Sequence, residues 1–208
     1  MTTSRCCEHC DEPMPITARR HARYCAPRCR AAAARRRRTI PAALTSRPRW
    51  IRHSARKIPL TVGGSVASST DPSTWSRYRD AAASSAGAGL GFVLDGDGLV
   101  CLDLDHCLDQ DGAPLPWAQT ILDAAADTWV EVSRSGDGLH IWGYGELQSG
   151  RRIRVDGGGS VELYGDGRYI AVTGQTFGAS HCRLGDLQGL IDGLLQAQLR
   201  TRAQRRFP

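Results

Sequence analysis

Two acidic residues, Asp103 and Asp105, lie two positions apart in the stretch CLDLDHC, which covers residues 101–107. Side chains of a β-strand alternate between its two faces. Both carboxylates would therefore share one face, and Leu102 and Leu104 would lie on the other. Like charges at this spacing repel unless a cation or a proton lies between them. The pair therefore predicts either a polar strand face in water or part of a site for divalent metal ions.

Residues that suit phosphate chemistry follow this stretch. SRSGDGLH supplies a glycine-containing loop with Ser135 and Gly138, then a strand that carries His140. Glu162 lies between apolar neighbours in VELYG, and Arg168 follows a glycine turn. Carboxylates are ligands for Mg²⁺, whereas a histidine, an arginine and a glycine loop can contact phosphate. The set favours phosphoryl or nucleotidyl transfer.

Other acids compete for the same role. Six aspartates lie in or beside glycine-containing turns or loops: Asp95, Asp97, Asp109, Asp111, Asp156 and Asp166. The first two form DGDG, which is typical of a β-hairpin turn exposed to water. Glu162 instead has strand neighbours on both sides, and strand alternation therefore favours it as the third acid of the site.

The first 38 residues carry a second chemical pattern, Cys7-x2-Cys10 followed after 14 residues by Cys25-x3-Cys29. Each pair supplies two thiolates from one tight turn, and four thiolates complete a tetrahedral zinc site in a segment too short to bury a core. We predict a structural zinc ion there; the alternative, a set of free thiols, leaves the paired spacing unexplained. Three neighbours can replace a ligand: Cys6, His9 and His21.

Composition limits the class of protein. With 208 residues, 41% of them apolar, the chain can form one medium domain and a small appendage. No apolar run approaches the ~18 residues of a membrane span, and the N-terminus has no apolar signal segment. We expect a cytoplasmic protein without a membrane partner, in which eight cysteines are metal ligands or buried thiols rather than disulfides.

The charge is distributed unevenly. Net charges are +12 for residues 1–60, −10 for residues 61–199 and +4 for residues 200–208. This asymmetry predicts nucleic-acid contact through the basic ends. The arginines at 35–38 follow the second cysteine pair in a segment of helical propensity, where they form either a solvated charge run or a phosphate-binding surface.

The sequence divides into four segments. Residues 1–38 are the zinc module with its basic helix, residues 39–49 a linker rich in Pro and Ser, residues 50–199 the main domain and residues 200–208 a basic tail. Strands dominate the main domain and helices are interspersed, which predicts a two-layer α/β or α+β fold. Strand pairs are predicted around the DGDG turn and around the glycine turn of SVELYGDGRYIAVTG, and a capped helix in SSTDPSTWSRYRDAAASS.

In this order, CLDLDHC, SRSGDGLH and VELYGDGRYIAVTG resemble the primase-polymerase domain of the archaeo-eukaryotic primase superfamily, in the form carried by phages, plasmids and integrated elements. RKIPLTV, ASSTDPSTW and GLGFVL look like the family's approach to its first motif, and CEHC…YCAPRC resembles the zinc module that often precedes such domains. The resemblance covers residues 48–195 and implies an α+β core with an RRM-like sheet.

The resemblance also implies roles for individual residues. Asp103, Asp105 and Glu162 would bind two catalytic Mg²⁺ or Mn²⁺ ions, and His140 would hydrogen-bond the phosphates of the incoming nucleotide. Further nucleotide contacts are implied at seven positions: Lys57 (the only lysine), Ser69, Thr70, Asp71, Ser135, Gly138 and Arg168.

The implied function is a template-dependent DNA primase-polymerase, which makes primers on single-stranded DNA from nucleoside triphosphates in a phage or mobile element. Many members of the family continue into a helicase, so we expect either a separate helicase partner or strands that are already single. Two alternatives remain: a catalytically inactive nucleic-acid-binding accessory protein, and a metal-dependent phosphohydrolase or nuclease.

Overall fold

A computed structural model describes residues 6–7, 10, 12–15, 17–19, 22–31, 40–125, 127–155, 158–178 and 181–206, the last six as helical backbone only. The chain divides into two compact units, residues 1–39 and 40–208. Several residues considered above lie outside the described part: His9, His21, Arg35 to Arg38 and Asp156.

The described part of the larger unit contains strands with helices interspersed among them. The strands are β1 (Trp50–His53), β2 (Pro59–Leu60), β3 (Gly89–Asp95), β4 (Leu99–Asp105), β5 (Trp129–Val132), β6 (Leu139–Tyr144), β7 (Arg151–Arg154), β8 (Ser160–Tyr164), β9 (Asp166–Val172) and β10 (Gly185–Asp186). The helices are α1 (Ala42–Thr45), α2 (Tyr78–Ala83), α3 (Pro116–Ala124) and α4 (Gln188–Arg206). Described residues of this unit form no helix both long enough and apolar enough to cross a membrane.

The strands form two sheets. The small sheet has the order β2-β1-β3-β9, with antiparallel neighbours throughout. The large sheet has the order β10-β6-β4-β8-β7, with β5 also paired to β6; its pairs are antiparallel except for β10 with β6. Mixed helices and mainly antiparallel strands confirm the predicted α+β class.

The predicted pairing across DGDG is wrong, because β3 belongs to the small sheet and β4 to the large one. The same change of sheet occurs between β8 and β9, across Gly165 alone. The two crossings touch, since the Gly96 amide donates to the Gly165 carbonyl at 3.0 Å. Asp97 is exposed, as expected, and it also pairs with Arg47 at 3.1 Å and Arg49 at 2.6 Å.

The crossings place a shared aromatic core between the sheets. Phe92 of β3 contacts Trp142 of β6 edge-on, with ring centroids 5.9 Å apart, and Trp50 of β1 lies 5.2 Å from Phe92. Leu99 and Cys101, on this face of β4, are fully buried in the same cluster. A continuous β3–β4 hairpin would leave these apolar faces in one layer, whereas the change of sheet buries them against each other.

The opposite face of β4 packs against helices. Leu102 and Leu104 are fully buried in a cluster with Ala118 and Ile121 of α3 and Ile191 of α4. This arrangement confirms the predicted division of the strand, with leucines on one face and carboxylates on the other. The two cysteines that flank the motif, at 101 and 107, are also fully buried, as expected of small packed residues.

Two segment boundaries differ from the predicted ones. Residues 40–49, predicted as linker, belong to the larger unit: Leu44 of α1 is fully buried, and its carbonyl accepts a hydrogen bond from Trp50 Nε1 at 3.1 Å. The predicted tail begins inside α4, which continues to Arg206. At residues 40–49 a buried apolar residue outweighs the linker signal of Pro and Ser. At residues 200–206 helix-forming residues outweigh the tail signal of the charges.

The predicted capped helix is divided. Asp71 accepts a hydrogen bond from the Ser73 amide at 3.0 Å and caps a 3-10 turn over Pro72–Thr74. Helix α2 then begins separately at Tyr78.

Replacing Leu102 by alanine tests the face that packs on the helices. We expect Leu102→Ala to lower the free energy of unfolding by about 2–5 kcal/mol, because it leaves a cavity in a fully buried cluster. Leu199→Ala, at a position 64% exposed, is the matched control and should change it by less than about 0.5 kcal/mol. Equal effects of the two substitutions in urea denaturation would contradict the assigned faces.

Candidate functional site

The register of the large sheet brings charged residues of five strands into one row. His140 of β6 and Glu162 of β8 are the direct cross-strand partners of Asp103. Glu131 of β5 is the partner of His140, and Arg152 of β7 is the partner of Glu162. The row therefore runs Glu131, His140, Asp103, Glu162, Arg152 across the face opposite the leucines.

The row lies where the small sheet stops covering β4. Leu99 and Cys101 are fully buried, but the Asp103 side chain, next on the same face, is 22% exposed. Asp103 and Asp105 line a cleft of about 380 Å³. Five other residues predicted for the site also line it: Lys57, Ser69, Ser135, His140 and Arg168.

Four predicted residues do not line this cleft. Glu162 is adjacent to it through its pairing with Asp103. Thr70 is exposed next to Asp71, whose side chain caps the 3-10 turn. Gly138 has a packing role instead, because a Cβ there would lie 2.8 Å from the carbonyl oxygen of Leu104 and 2.8 Å from Ser133 Oγ.

The carboxylates are held close to one another in a poorly solvated place. Burial raises the pKa of Asp103; the nearby His140 opposes the rise, while the charges of Asp105 and Glu162 add to it. A divalent cation would relieve this repulsion, and carboxylate oxygens are the ligands that Mg²⁺ and Mn²⁺ prefer. The residue types therefore fit such ions.

Each of the other two carboxylates has a protein partner. Glu162 pairs with Arg152 Nε at 3.1 Å and accepts a hydrogen bond from the Tyr164 hydroxyl, and Asp105 accepts one from Ser160 Oγ at 3.1 Å. Among described residues, the cysteine cluster is the one group of three or more possible ligands that lie close enough together to hold a metal ion as they stand. Both oxygens of Glu162 already have protein partners, so an ion bound there would compete with Arg152 and Tyr164 for this carboxylate.

Glu131, which is fully buried, is a member of the row that was not predicted for the site. Its Oε1 accepts hydrogen bonds from His140 Nδ1 at 3.1 Å and Trp142 Nε1 at 3.2 Å. Its Oε2 accepts bonds from the Thr173 amide, the Thr173 hydroxyl and the Gly174 amide at 2.8–3.0 Å. The signal was present, since Glu131 is an acid between apolar strand neighbours in TWVEV, as Glu162 is in VELYG.

This carboxylate sets the orientation of the histidine. Because an ionised carboxylate only accepts hydrogen bonds, His140 Nδ1 is the donor, and Nε2 lies on the side of Asp103, 3.6 Å from its Oδ1. Burial alone would lower the pKa of His140, but the hydrogen bond and charge of Glu131, with Asp103, raise it. His140 can therefore present a protonated Nε2 to an anion in the cleft.

Basic residues line the rim of the same cleft. Lys57 has a left-handed backbone, with φ of 59°, and its carbonyl accepts a hydrogen bond from the Tyr169 hydroxyl. Arg134, also missed in the sequence analysis, lines the cleft and donates to the Ala55 carbonyl at 3.0 Å. The Arg168 guanidinium lies 4.7 Å from the centre of the Tyr164 ring. An acidic row and a basic rim thus share one cleft.

The smaller unit holds the cysteine cluster. The Sγ atoms of Cys7, Cys10, Cys25 and Cys29 lie within 4.8 Å of one another. Three separations are 3.5 Å, 3.6 Å and 3.8 Å, close to the ~3.8 Å edge of a tetrahedron with zinc–sulfur bonds of ~2.3 Å. The Cys25 amide also donates to Cys7 Sγ at 3.3 Å. The cluster fits a zinc ion.

Without a metal, the neighbouring thiols disfavour ionisation of Cys25. Hydrogen bonding to Cys29 and to the other thiols raises the pKa of Cys25 to about 12. A bound cation would stabilise the thiolates instead. Cys6, considered as a substitute ligand, is exposed and is not a member of the cluster.

Zinc content tests this cluster. We expect the purified protein to carry one zinc ion per chain and Cys25→Ser to lose it, because three thiolates leave the tetrahedron open. Cys182→Ser, which changes an exposed cysteine outside the cluster, should keep the ion. Metal analysis by atomic emission gives the answer, and full zinc occupancy in Cys25→Ser would contradict the assigned ligands.

Glu131→Gln tests the buried carboxylate. An amide cannot accept all the hydrogen bonds made to Glu131. We therefore expect Glu131→Gln to lower the free energy of unfolding by about 3–5 kcal/mol. The pKa of His140 is raised above its ordinary 6.5, so its pairing energy is complete below pH 6.5 and is lost as the pH rises through the folded-state pKa. The stability difference from the parent should therefore narrow with rising pH.

Urea denaturation between pH 5.5 and 8.5 measures this difference, with Glu146→Gln, at an exposed glutamate, as the matched control. A difference that widens with rising pH would contradict the pairing of Glu131 with protonated His140.

Comparison with known proteins extends the resemblance seen in the motifs. A DNA primase-polymerase of Nitratiruptor phage NrS-1 is 39% identical over 136 residues, which cover 62% of this chain and 19% of the phage protein. The chain thus spans about a fifth of the length of the curated relative it matches. No family model matches the chain.

Proposed function

We propose that this chain is a template-dependent DNA primase-polymerase that extends a strand by two-metal nucleotidyl transfer on single-stranded DNA. The observation that carries the proposal is the row of Asp103, Glu162 and His140 on three paired strands, beside a cleft with a basic rim. Similarity to the phage DNA primase-polymerase supports the same activity.

The basic rim accounts for the nucleotide in this proposal. Lys57, Arg134 and Arg168 supply positive charge for a triphosphate, and His140 donates a hydrogen bond from Nε2. Ser69 and Ser135 add hydroxyl groups on the same cleft. Because Glu131 fixes the imidazole, its donor is oriented before the nucleotide arrives.

The carboxylates account for the metal ions. Asp103, Asp105 and Glu162 would hold Mg²⁺ or Mn²⁺, which when bound activates the attacking 3′-hydroxyl and neutralises charge on the triphosphate. Asp103 is fixed between two strands, whereas Arg152 would compete with the ion for Glu162. The hydroxyl loses its proton to solvent and its oxygen attacks the α-phosphorus; a phosphodiester bond forms, the bond from the α-phosphorus to the bridging oxygen breaks, and pyrophosphate leaves.

Primer synthesis tests the proposal directly. The full chain is incubated with single-stranded DNA, labelled nucleoside triphosphates and Mg²⁺ or Mn²⁺, and products are resolved on a gel. We expect Asp103→Asn and Glu162→Gln to lower the rate by at least roughly 10²–10³-fold, because each removes negative charge from the metal site. Asp95→Asn, at an exposed aspartate of the DGDG crossing, is the matched control and should retain activity.

The products separate the proposal from its alternatives. Extended strands with equimolar pyrophosphate support nucleotidyl transfer. Nucleotide binding without any product would identify an inactive accessory protein, and nicked DNA or inorganic phosphate without pyrophosphate would identify a nuclease or phosphohydrolase. Full activity in both carboxylate variants would refute the site itself.

A further inference from the structure

The edge strand β7 carries arginines that the proposed chemistry leaves unused. Its sequence is RRIR, and all three arginines are exposed. Arg152 and Arg154 alternate with Ile153, which packs on the helix side, so both lie on the face of the carboxylate row. Arg152 remains 62% exposed despite its pair with Glu162, and Arg154 forms no ion pair with another described residue.

These arginines adjoin the proposed metal site. Arg152 is the cross-strand partner of Glu162, and Arg154 is the partner of Ser160. Ser160 Oγ accepts a hydrogen bond from Arg152 Nη2 at 3.3 Å and donates one to Asp105 at 3.1 Å. Positively charged side chains therefore occupy the sheet from its carboxylates out to its edge at β7.

Helix α4 lies beside the same edge. Gln198 Nε2 donates to the Arg152 carbonyl at 3.0 Å, which places this part of the helix beside β7. Arg200, two positions farther along the helix, is exposed. Residues 147–155, which include β7, contain no acid, and neither do residues 193–200 of the helix. We call β7 with residues 198–200 the basic edge.

The strand order of the large sheet places the basic edge relative to Asp103. His140 lies on one side of Asp103 and the basic edge lies on the other, beyond Glu162. In phosphoryl transfer the attacking and leaving oxygens are roughly in line across phosphorus. If the triphosphate lies on the His140 side, near Arg134, its pyrophosphate leaves on that side and the attacking hydroxyl approaches from the side of Glu162 and β7.

We propose that the basic edge binds the sugar-phosphate backbone of the strand whose 3′-hydroxyl attacks, with Arg154 as a phosphate contact. The assignment of that strand rests on the proposed function; the binding of a nucleic-acid backbone rests on charge and exposure alone. A protein strand added to the free edge of β7 is disfavoured, because edge strands rich in exposed charge resist such pairing.

Binding of a fluorescent single-stranded oligonucleotide tests the basic edge in the full chain, by anisotropy over a range of salt concentrations. We expect Arg154→Ala to weaken binding roughly fivefold at low salt and to reduce the slope of log K against log salt by about 0.7, as for the loss of one phosphate contact. Arg154→Glu should weaken it further, and Arg154→Lys should restore it. Arg79→Ala, at a side chain 75% exposed, is the control and should change neither quantity.

Steady-state kinetics then test whether the bound nucleic acid is the strand whose 3′-hydroxyl attacks. Arg154→Ala should raise the KM for a primed template and leave the KM for the nucleotide unchanged, whereas Lys57→Ala should do the reverse. If the parent makes no product, the proposed function fails, yet the binding measurement still decides whether the basic edge holds nucleic acid. Unchanged affinity and salt slope in both Arg154→Ala and Arg154→Glu, with melting temperatures equal to the parent's, would overturn the inference.

Discussion

The packing of the two sheets against each other is the constraint on which the rest of the larger unit depends. Strands β3 and β8 each pass to the other sheet through a short connection, and an amide–carbonyl bond between Gly96 and Gly165 joins these connections. The apolar residues beside them must then face each other, which produces the aromatic core around Phe92 and Trp142. Polar residues farther along the same strands emerge at the border of this core.

That border explains why the cleft is both ordered and charged. Asp103 follows directly on the buried face of β4, so its carboxylate is fixed by the strand but poorly solvated. Glu131 lies deeper and is stabilised by five hydrogen bonds, three of them from Thr173 and Gly174 in the segment after β9. Removing a donor from a buried charge with this many hydrogen bonds is costly, so Glu131 keeps its position and holds the His140 ring in one orientation.

Local patterns predicted much of the site, and long-range contacts account for the rest. Alternation along β4 was enough to place the two carboxylates opposite the leucines, and cysteine spacing was enough to gather four thiols. Periodicity cannot reveal that DGDG crosses between sheets, because the reason lies in packing with distant strands. Glu131 carried the same local signal as Glu162, but its partners at Thr173 and Gly174 are more than 40 positions away.

If Asp103, Asp105 and Glu162 bind catalytic metal ions, iron-directed cleavage will locate those ions directly. Fe²⁺ is substituted for Mg²⁺ in the presence of a nucleoside triphosphate, and ascorbate with peroxide generates hydroxyl radicals at the bound ion. The account predicts backbone cuts beside residues 103–105 and 160–164, suppressed by excess Mg²⁺. Cuts confined to another acidic segment, such as the loop with Asp109 and Asp111, would contradict it.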